Sequence, residues 1–392
     1  MLLNKWKYEL LIRRKFLYVL LVLPCIFLFG NCSKSGVLST DSVAPGQTSC
    51  ATLDCTTLKY SLFSADLNGS NVTVIRTSGN QEMTHPRLSN DKNWVSYTAY
   101  NDRDSQGCAS LSIGYFNTEI RAVKLDGSVD KRVIAPVVGQ FNSNNYWLGT
   151  TNEMSYLSGP PTALKIYRAS VDVSMNLIAA PRVIPTAASL SVVLDPQANL
   201  GANKIVFSSI WNNSGNFVKS IFIMNLNDSS NVVGLSVGRN RAGTILTCPD
   251  SACANIMEND PKISPDGTQV AFMRQAPSSG VNGFGWHIFV VPIDSPLSEK
   301  DISYSYIGSN VLKNEVLPEW IDNTTLVFST IEIVSSSDVT KNVYTMKSDG
   351  SQRTKVSLPS GFKYSDVFPY TDASGKKRLI ISAEKIGASC AK

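Results

Sequence analysis

The chain offers little material for acid–base catalysis. Among 392 residues there are 2 histidines, His85 and His287, beside 31 Asp and Glu and 8 Cys. A Ser-His-acid system needs a histidine steered by a carboxylate. His85 follows Thr84 at a strand start. His287 lies inside "GWHIFVV", an alternating strand in which a packed or surface role suits it better than that of a base. No Gly-x-Ser-x-Gly elbow, His-Glu-x-x-His pair or phosphate loop occurs. Carboxylates are plentiful, so a paired-carboxylate glycosidase is an enzyme reading that survives. No cofactor is implied. A zinc site is a weak rival, because no Cys-x-x-Cys occurs and histidines are scarce.

Binding chemistry is better supplied. Glu82, His85, Asp260, Glu315 and Asp366 stand near the start of one recurring segment. Gathered in a ring, they would hold a cation or a basic partner group, or merely solvate a channel mouth. Trp211, in "IWNNSGNF" with Phe217 nearby, is the candidate exposed aromatic for a sugar face. Trp94, Trp147, Trp286 and Trp320 fall in or beside strands, where packing is their default use.

The gathering agent is a repeat. "NDPKISPDGTQVAFMRQ", from Asn259, has a Pro, an apolar residue, a polar turn and an apolar strand. "HPRLSNDKNWVSYTAY", "LPEWIDNTTLVFST" and "FPYTDASGKKRLIISA" repeat it, with weaker copies at Asn144 and Leu190. A second element follows each copy except the last: an alternating strand, an Asp-Gly or Asn-Gly turn, and another strand. "TEIRAVKLDGSVDKRVI" and "NVYTMKSDGSQRTKV" are the clearest cases. Such dipeptides suit the φ > 0 positions of tight hairpins. The unit is four antiparallel strands, A to D, and helical periodicity is almost absent after residue 33.

The chain therefore reads as all-β, a six-bladed β-propeller of four-stranded blades. At about 56 residues per blade against roughly 40–45 for a compact one, the surplus must sit in loops. The first hairpin, from Leu58, lacks A and B; the last, Phe368 to Ala383, lacks C and D. Together they complete one blade from both chain ends and leave no open edge. A seven-bladed ring or a pair of β-sandwiches is the competing arrangement.

The Pro-x-x-Ser-Pro-Asp-Gly pattern resembles the WD40-like, or PD40, repeat of TolB-type six-bladed propellers. The resemblance covers nearly all of the chain from residue 58. TolB carries an additional N-terminal α/β domain, which the 33–57 segment does not resemble, so TolB's partner-binding role is not implied whole.

Blade geometry puts the A–B and C–D turns on one face and the B–C and D–A connections on the other. The insertions then share the second face: B–C loops at 101–117, 209–217, 276–285 and 332–341, and a D–A connection at 237–259. Variable loops on a rigid scaffold are where binding resides.

The N-terminus specifies a location. Lys5, Lys7, Arg13, Arg14 and Lys15 account for most of the net charge of +5, which leaves no basic face for nucleic acid. The apolar run Phe16 to Gly30 suits a signal peptide and is short for a membrane span. It ends in "LFGNCS", which resembles a bacterial lipobox of the looser kind found in spirochaetal lipoproteins. Residues 1–31 are then a signal peptide, Cys32 the lipid anchor, 32–57 a flexible tether and 58–392 the propeller. Left uncleaved, the run would itself be a membrane anchor. Either way the partners are a membrane and an envelope protein or glycan. The setting is the cell envelope, with the outer membrane favoured.

Six cysteines remain outside the signal and the anchor: Cys50, Cys55, Cys108, Cys248, Cys253 and Cys390. An even number outside the cytoplasm points to disulfides. Cys248 with Cys253 would close "CPDSAC". Cys390 with Cys50 or Cys55 would staple the chain ends, and Cys108 would take the remaining cysteine. Two functions stay open: a non-catalytic binding or scaffold module, and a polysaccharide hydrolase or lyase.

Overall fold

The computed structural model describes residues 59–386. Excepted are 102–117, 187–191, 200–202, 237–256, 278–283, 305–311, 334–338 and a few breaks of one or two residues. The signal peptide, the tether, Cys32 and every disulfide candidate lie outside the described residues.

β1 (Tyr60–Asp66) and β2 (Thr73–Ser78) open the chain as a hairpin. The first blade follows as β3 (Gln81–Leu88), β4 (Trp94–Asn101), β5 (Thr118–Lys124) and β6 (Asp130–Ile134). The second is β7 (Phe141–Trp147), β8 (Glu153–Gly159), β9 (Lys165–Ser170) and β10 (Arg182–Val183). The third is β11 (Val192–Asn199), β12 (Lys204–Asn213), β13 (Asn216–Asn225) and β14 (Asp228–Gly234). The fourth is β15 (Glu258–Ile263), β16 (Gln269–Pro277), β17 (Phe284–Pro292) and β18 (Lys300–Asp301). The fifth is β19 (Leu312–Asp322), β20 (Thr325–Ile333), β21 (Val339–Lys347) and β22 (Thr354–Lys355). Finally β23 (Phe362–Thr371) and β24 (Lys377–Lys385) join the opening hairpin in the order β2-β1-β24-β23.

Six antiparallel four-stranded sheets result, one of them made by both chain ends, as the repeat implied. The closing seam is continuous. β1 pairs with β24 from Tyr60↔Glu384 to Asp66↔Arg378 without a register shift. Ser64 Oγ and the Tyr370 hydroxyl are 2.9 Å apart, and Lys376 Nζ reaches Asp66 Oδ2 at 2.6 Å.

The hydrophobic core lies between blades. One cluster joins Leu157 and Ile166 of the second blade to Ile205 and Phe207 of the third; another joins Val343 of the fifth to Leu379 and Ile381 of the composite blade. Six such sandwiches close the ring. Each B strand but one centres a buried aromatic: Tyr97, Tyr156, Phe207, Phe272 and Phe328. Four stack on a C-strand aromatic; Phe207–Phe222 is typical, with centroids 5.9 Å apart. Burying one such ring is worth about 1.5–3 kcal/mol. The composite blade puts Ser382 at that place.

The turns explain the punctuation of the sequence. In "SPDG", Asp266 Oδ1 accepts the Thr268 amide at 3.1 Å and the Ser264 hydroxyl at 2.6 Å, so the turn is internally satisfied. The C–D glycines do more than allow φ > 0. A Cβ on Gly127 would sit 2.6 Å from the Ile75 carbonyl oxygen, and one on Gly350 2.7 Å from that of Ile302. Gly69 meets Ser357 in the same way. Each of these turns packs on the outer-strand side of the preceding blade.

Three loop expectations change. The 209–217 segment is not a loop: β12 and β13 stay paired out to Asn213↔Asn216, and Trp211 lies in β12 opposite Val218. The β-branched and aromatic flanks of "IWNNSGNF" suit an extended ladder, which reaches Asn213↔Asn216. β16 and β20 likewise run into their insertions, to Pro277 and Ile333.

Candidate functional site: the polar channel

Every A strand carries a β-bulge at the same place, where two residues face one on strand B. The extra pairs are His85-Pro86, Asn144-Asn145, Asp195-Pro196, Asp260-Pro261, Leu317-Pro318 and Ser365-Asp366. Proline suits a bulge because it has no amide to pair. In five of the six, the first residue is left-handed: φ is 50° at His85, 51° at Asn144, 49° at Asp195, 48° at Asp260 and 57° at Leu317. Such backbone costs of order 1 kcal/mol per residue for a non-glycine. Bulges re-aim side chains, and here they do so around the ring axis.

Two polar layers result. The residue after the bulge supplies the first: Arg87, Tyr146, Gln197, Lys262 and Glu319, with Val367 in the composite blade. Arg87 of the first blade reaches Glu319 of the fifth at 2.5 Å, although the composite blade separates them. Lys262 Nζ stands 3.8 Å from the same carboxylate. The Arg87 guanidinium also lies over the rings of Tyr146 and Phe368, at 5.1 and 5.0 Å. Gln197 donates to the Tyr146 hydroxyl at 2.8 Å and accepts the Ile263 amide at 2.5 Å. Burial pushes the Glu319 carboxyl up, and it pushes the Tyr146 phenol to about 12 with help from the nearby Glu319 charge.

The bulge residues form the second layer. Asp195 accepts from Lys219 Nζ at 3.1 Å, from Asn144 Nδ2 at 3.0 Å and from Ser208 Oγ at 3.0 Å. Burial works to raise its carboxyl, but the charge and hydrogen bond of Lys219, with the Lys262 charge and the Ser208 hydroxyl, together hold it down. Asp260 is the opposite case. It is 4% exposed, and its backbone amide donates to Asp195 Oδ2 at 3.5 Å. Burial first, and the Asp195 charge second, push it well up. Asp366 is 7% exposed, and His85 Nε2 lies 3.9 Å from its Oδ1. His85 Nδ1 meets Thr84 Oγ1 at 3.1 Å, and burial lowers its basicity. Among the described residues no three His, Cys, Asp or Glu side chains converge to hold a metal ion.

The structure thus brings His85, Asp260 and Asp366 together and leaves two of the expected residues apart. Glu315 is turned to Arg353 of its own blade, at 2.8 Å. Glu82 is half-buried opposite Tyr100, ahead of the bulge. Arg87, Asp195, Gln197, Lys219, Lys262 and Glu319 are channel residues that the sequence did not single out by type alone. Their signal was the repeat itself: Arg87, Gln197, Lys262 and Glu319 each directly follow the aligned Pro. Three tryptophans bridge blades, Trp94 to the Val173 carbonyl, Trp147 to Ser96 and Trp320 to the Lys262 carbonyl, with indole bonds of 3.1, 3.0 and 2.9 Å. Trp286 is buried.

Among solved structures, the protein assigned as TolB from Agrobacterium tumefaciens superposes at a TM-score of 0.51 with 13% identity, covering 84% of this chain and 99% of that one. The likeness is one of fold. Hydrazine synthase from Kuenenia stuttgartiensis gives 0.52 at 12% identity, covering 84% of this chain and 47% of that one. TolB from Acinetobacter baumannii gives 0.47 at 10%, covering 83% and 64%. This chain spans less than two thirds of these last two. No family model and no curated protein matches the sequence. The expectation of a TolB-like six-bladed architecture is met; the neighbours carry no site residue over to this chain.

Proposed function

We propose that this protein is a non-catalytic, lipid-anchored binding module of the cell envelope. Its propeller docks a basic group of an envelope protein or glycan partner at the channel. The observation that supports this is the pair of largely buried carboxylates, Asp260 and Asp366, at 4% and 7% exposure. Burial raises the Asp260 carboxyl, so its ionised form is costly there, and an incoming ammonium or guanidinium group would offset that cost. The layer of Arg87, Lys262 and Glu319 beneath gives the site a floor. The lipobox-like "LFGNCS" and the tether after it support the envelope setting.

The test is a pull-down from the native envelope with the full lipidated chain, beside the Asp260→Asn/Asp366→Asn variant and a polysaccharide turnover assay. Capture by the wild type and at least tenfold weaker capture by the variant supports the reading. Equal capture by both would sink the channel as the docking site. Release of saccharide products would replace the module with a hydrolase or lyase.

A further inference from the structure

The seam between the third and fourth blades presses a lysine amine onto an asparagine amide. Lys219, in β13, is 7% exposed, and Asn259, in β15, is 2% exposed. Lys219 Nζ donates to Asn259 Oδ1, so the amine touches the oxygen bonded to the amide carbon. Asn259 Nδ2 is sealed without a hydrogen-bond partner among the described residues. The strands themselves set this approach. Lys219 and Met257 form a parallel bridge between β13 and the start of β15, and the Ile221 amide donates to Glu258 Oε2 at 3.1 Å.

A carboxylate completes the set. Asp195 Oδ2 accepts from Lys219 Nζ at 3.1 Å. Ser208 Oγ holds the same oxygen at 3.0 Å, the Asp260 amide lies 3.5 Å from it, and Asn144 Nδ2 holds Oδ1 at 3.0 Å. Amine, amide and proton carrier thus meet in one buried place. Well-oriented groups held in contact react as if at about 10⁵–10⁸ M. Burial also shuts out the water that would compete for the amide carbon. Joining the two side chains would relieve two costs of that burial, the ammonium charge and the unpaired amide nitrogen.

We infer that Lys219 and Asn259 join in an intramolecular isopeptide bond that cross-links the third and fourth blades. Asp195 takes a proton from the Lys219 ammonium, and the freed Nζ lone pair attacks Asn259 Cγ. The Nζ–Cγ bond forms as the carbonyl electron pair moves to Oδ1. When that pair returns, the Cγ–Nδ2 bond breaks and its electrons leave with Nδ2. Nζ gives up two protons in all, the first through Asp195. Both end on Nδ2, which departs as ammonium. Asp195 is regenerated as a carboxylate, and no oxidant, reductant or water is consumed. The Lys219–Asp195 ion pair is the reactant state. In the product the Nζ–H of the new amide keeps Asp195 as its acceptor. The joined residues are 40 apart in sequence, so the bond closes β14 and the long D–A connection into a covalent loop.

Peptide mapping of the full chain, denatured and reduced before digestion with trypsin, tests the bond. Trypsin does not cut after an acylated lysine. The wild type should therefore give a branched peptide in which the segment containing an uncut Lys219 is joined to "AGTILTCPDSACANIMENDPK". Its mass should be the sum of the two peptides less one ammonia. Lys219→Arg and Asn259→Ala should each abolish it. Asp195→Asn should yield about tenfold less of it, or lower still. Recovery from the wild type of a separate peptide ending at Lys219, with Asn259 unmodified or deamidated, overturns the inference. That map decides alone if a variant does not fold. A branched peptide that persists in Asn259→Ala puts the bond elsewhere and overturns it too. Linking as complete in Asp195→Asn as in the wild type would remove Asp195 from the step.

Discussion

Arg87 and Glu319 meet at 2.5 Å across the axis of the ring, from blades that are not neighbours. The contact ties the first blade to the fifth, past the composite blade between them, through a buried ion pair. Removing one partner strands the other charge, so Arg87→Met should cost about 3–5 kcal/mol. Arg87→Met with Glu319→Leu should recover most of that loss. Urea denaturation of the two variants measures both numbers, and a double variant as unstable as the single one would contradict the account.

The two channel aspartates should respond to pH in opposite senses. The folded protein raises Asp260, so its contribution to stability is full below the ordinary carboxylate range and is lost as pH rises through the raised value. Asp260→Asn should therefore be neutral in acid and stabilising by on the order of 1–3 kcal/mol in alkali. The folded protein lowers Asp195, whose contribution is present above the ordinary range and lost as pH falls through the lowered value. Asp195→Asn should destabilise at neutral pH by roughly 3–5 kcal/mol, because Lys219 is left buried, and the difference should shrink in strong acid. Melting curves at three pH values check both signs.

Glycines at matching φ should differ in cost. Gly350 has φ +88°, with the Ile302 carbonyl where a Cβ would go; Gly375 has φ +84° and open space. Gly375→Ala should cost about 1 kcal/mol, the backbone penalty alone. Gly350→Ala should cost about 3 kcal/mol, because the seam beside it must also move. Equal costs, read from denaturant midpoints, would show that the seam yields freely.

The indole bridges should behave as seam fasteners. Trp320→Phe removes the 2.9 Å bond to the Lys262 carbonyl and leaves an aromatic ring in place. A loss of about 1–3 kcal/mol is expected. Hydrogen exchange should speed up at the fourth–fifth seam before it does elsewhere.

Architecture was legible because it is written in periodicities. Pro261 and its counterparts mark one strand position in blade after blade, and Asp126-Gly127 and Asp349-Gly350 mark another. The site was less legible for a physical reason. A bulge shifts the facing of every later residue by one, so simple alternation would put Lys262 on the face opposite Asn259, whereas the register sets both against same-face partners, Met273 and Ala271. Glu315 shows the converse. It carries a carboxylate in a suitable segment, but it stands two residues ahead of its bulge and turns to Arg353.

The composite blade also decides how the molecule bears load. A chain drawn taut from its N-terminal side pulls on β1, which is clasped along its length by β2 on one flank and β24 on the other. Force along β1 must shear both ladders together, since no edge is presented from which the strand could be unzipped one bond at a time. The strand that closes the ring is thus also the mechanical clamp, and tension applied at Lys59 would be resisted by the whole seam at once.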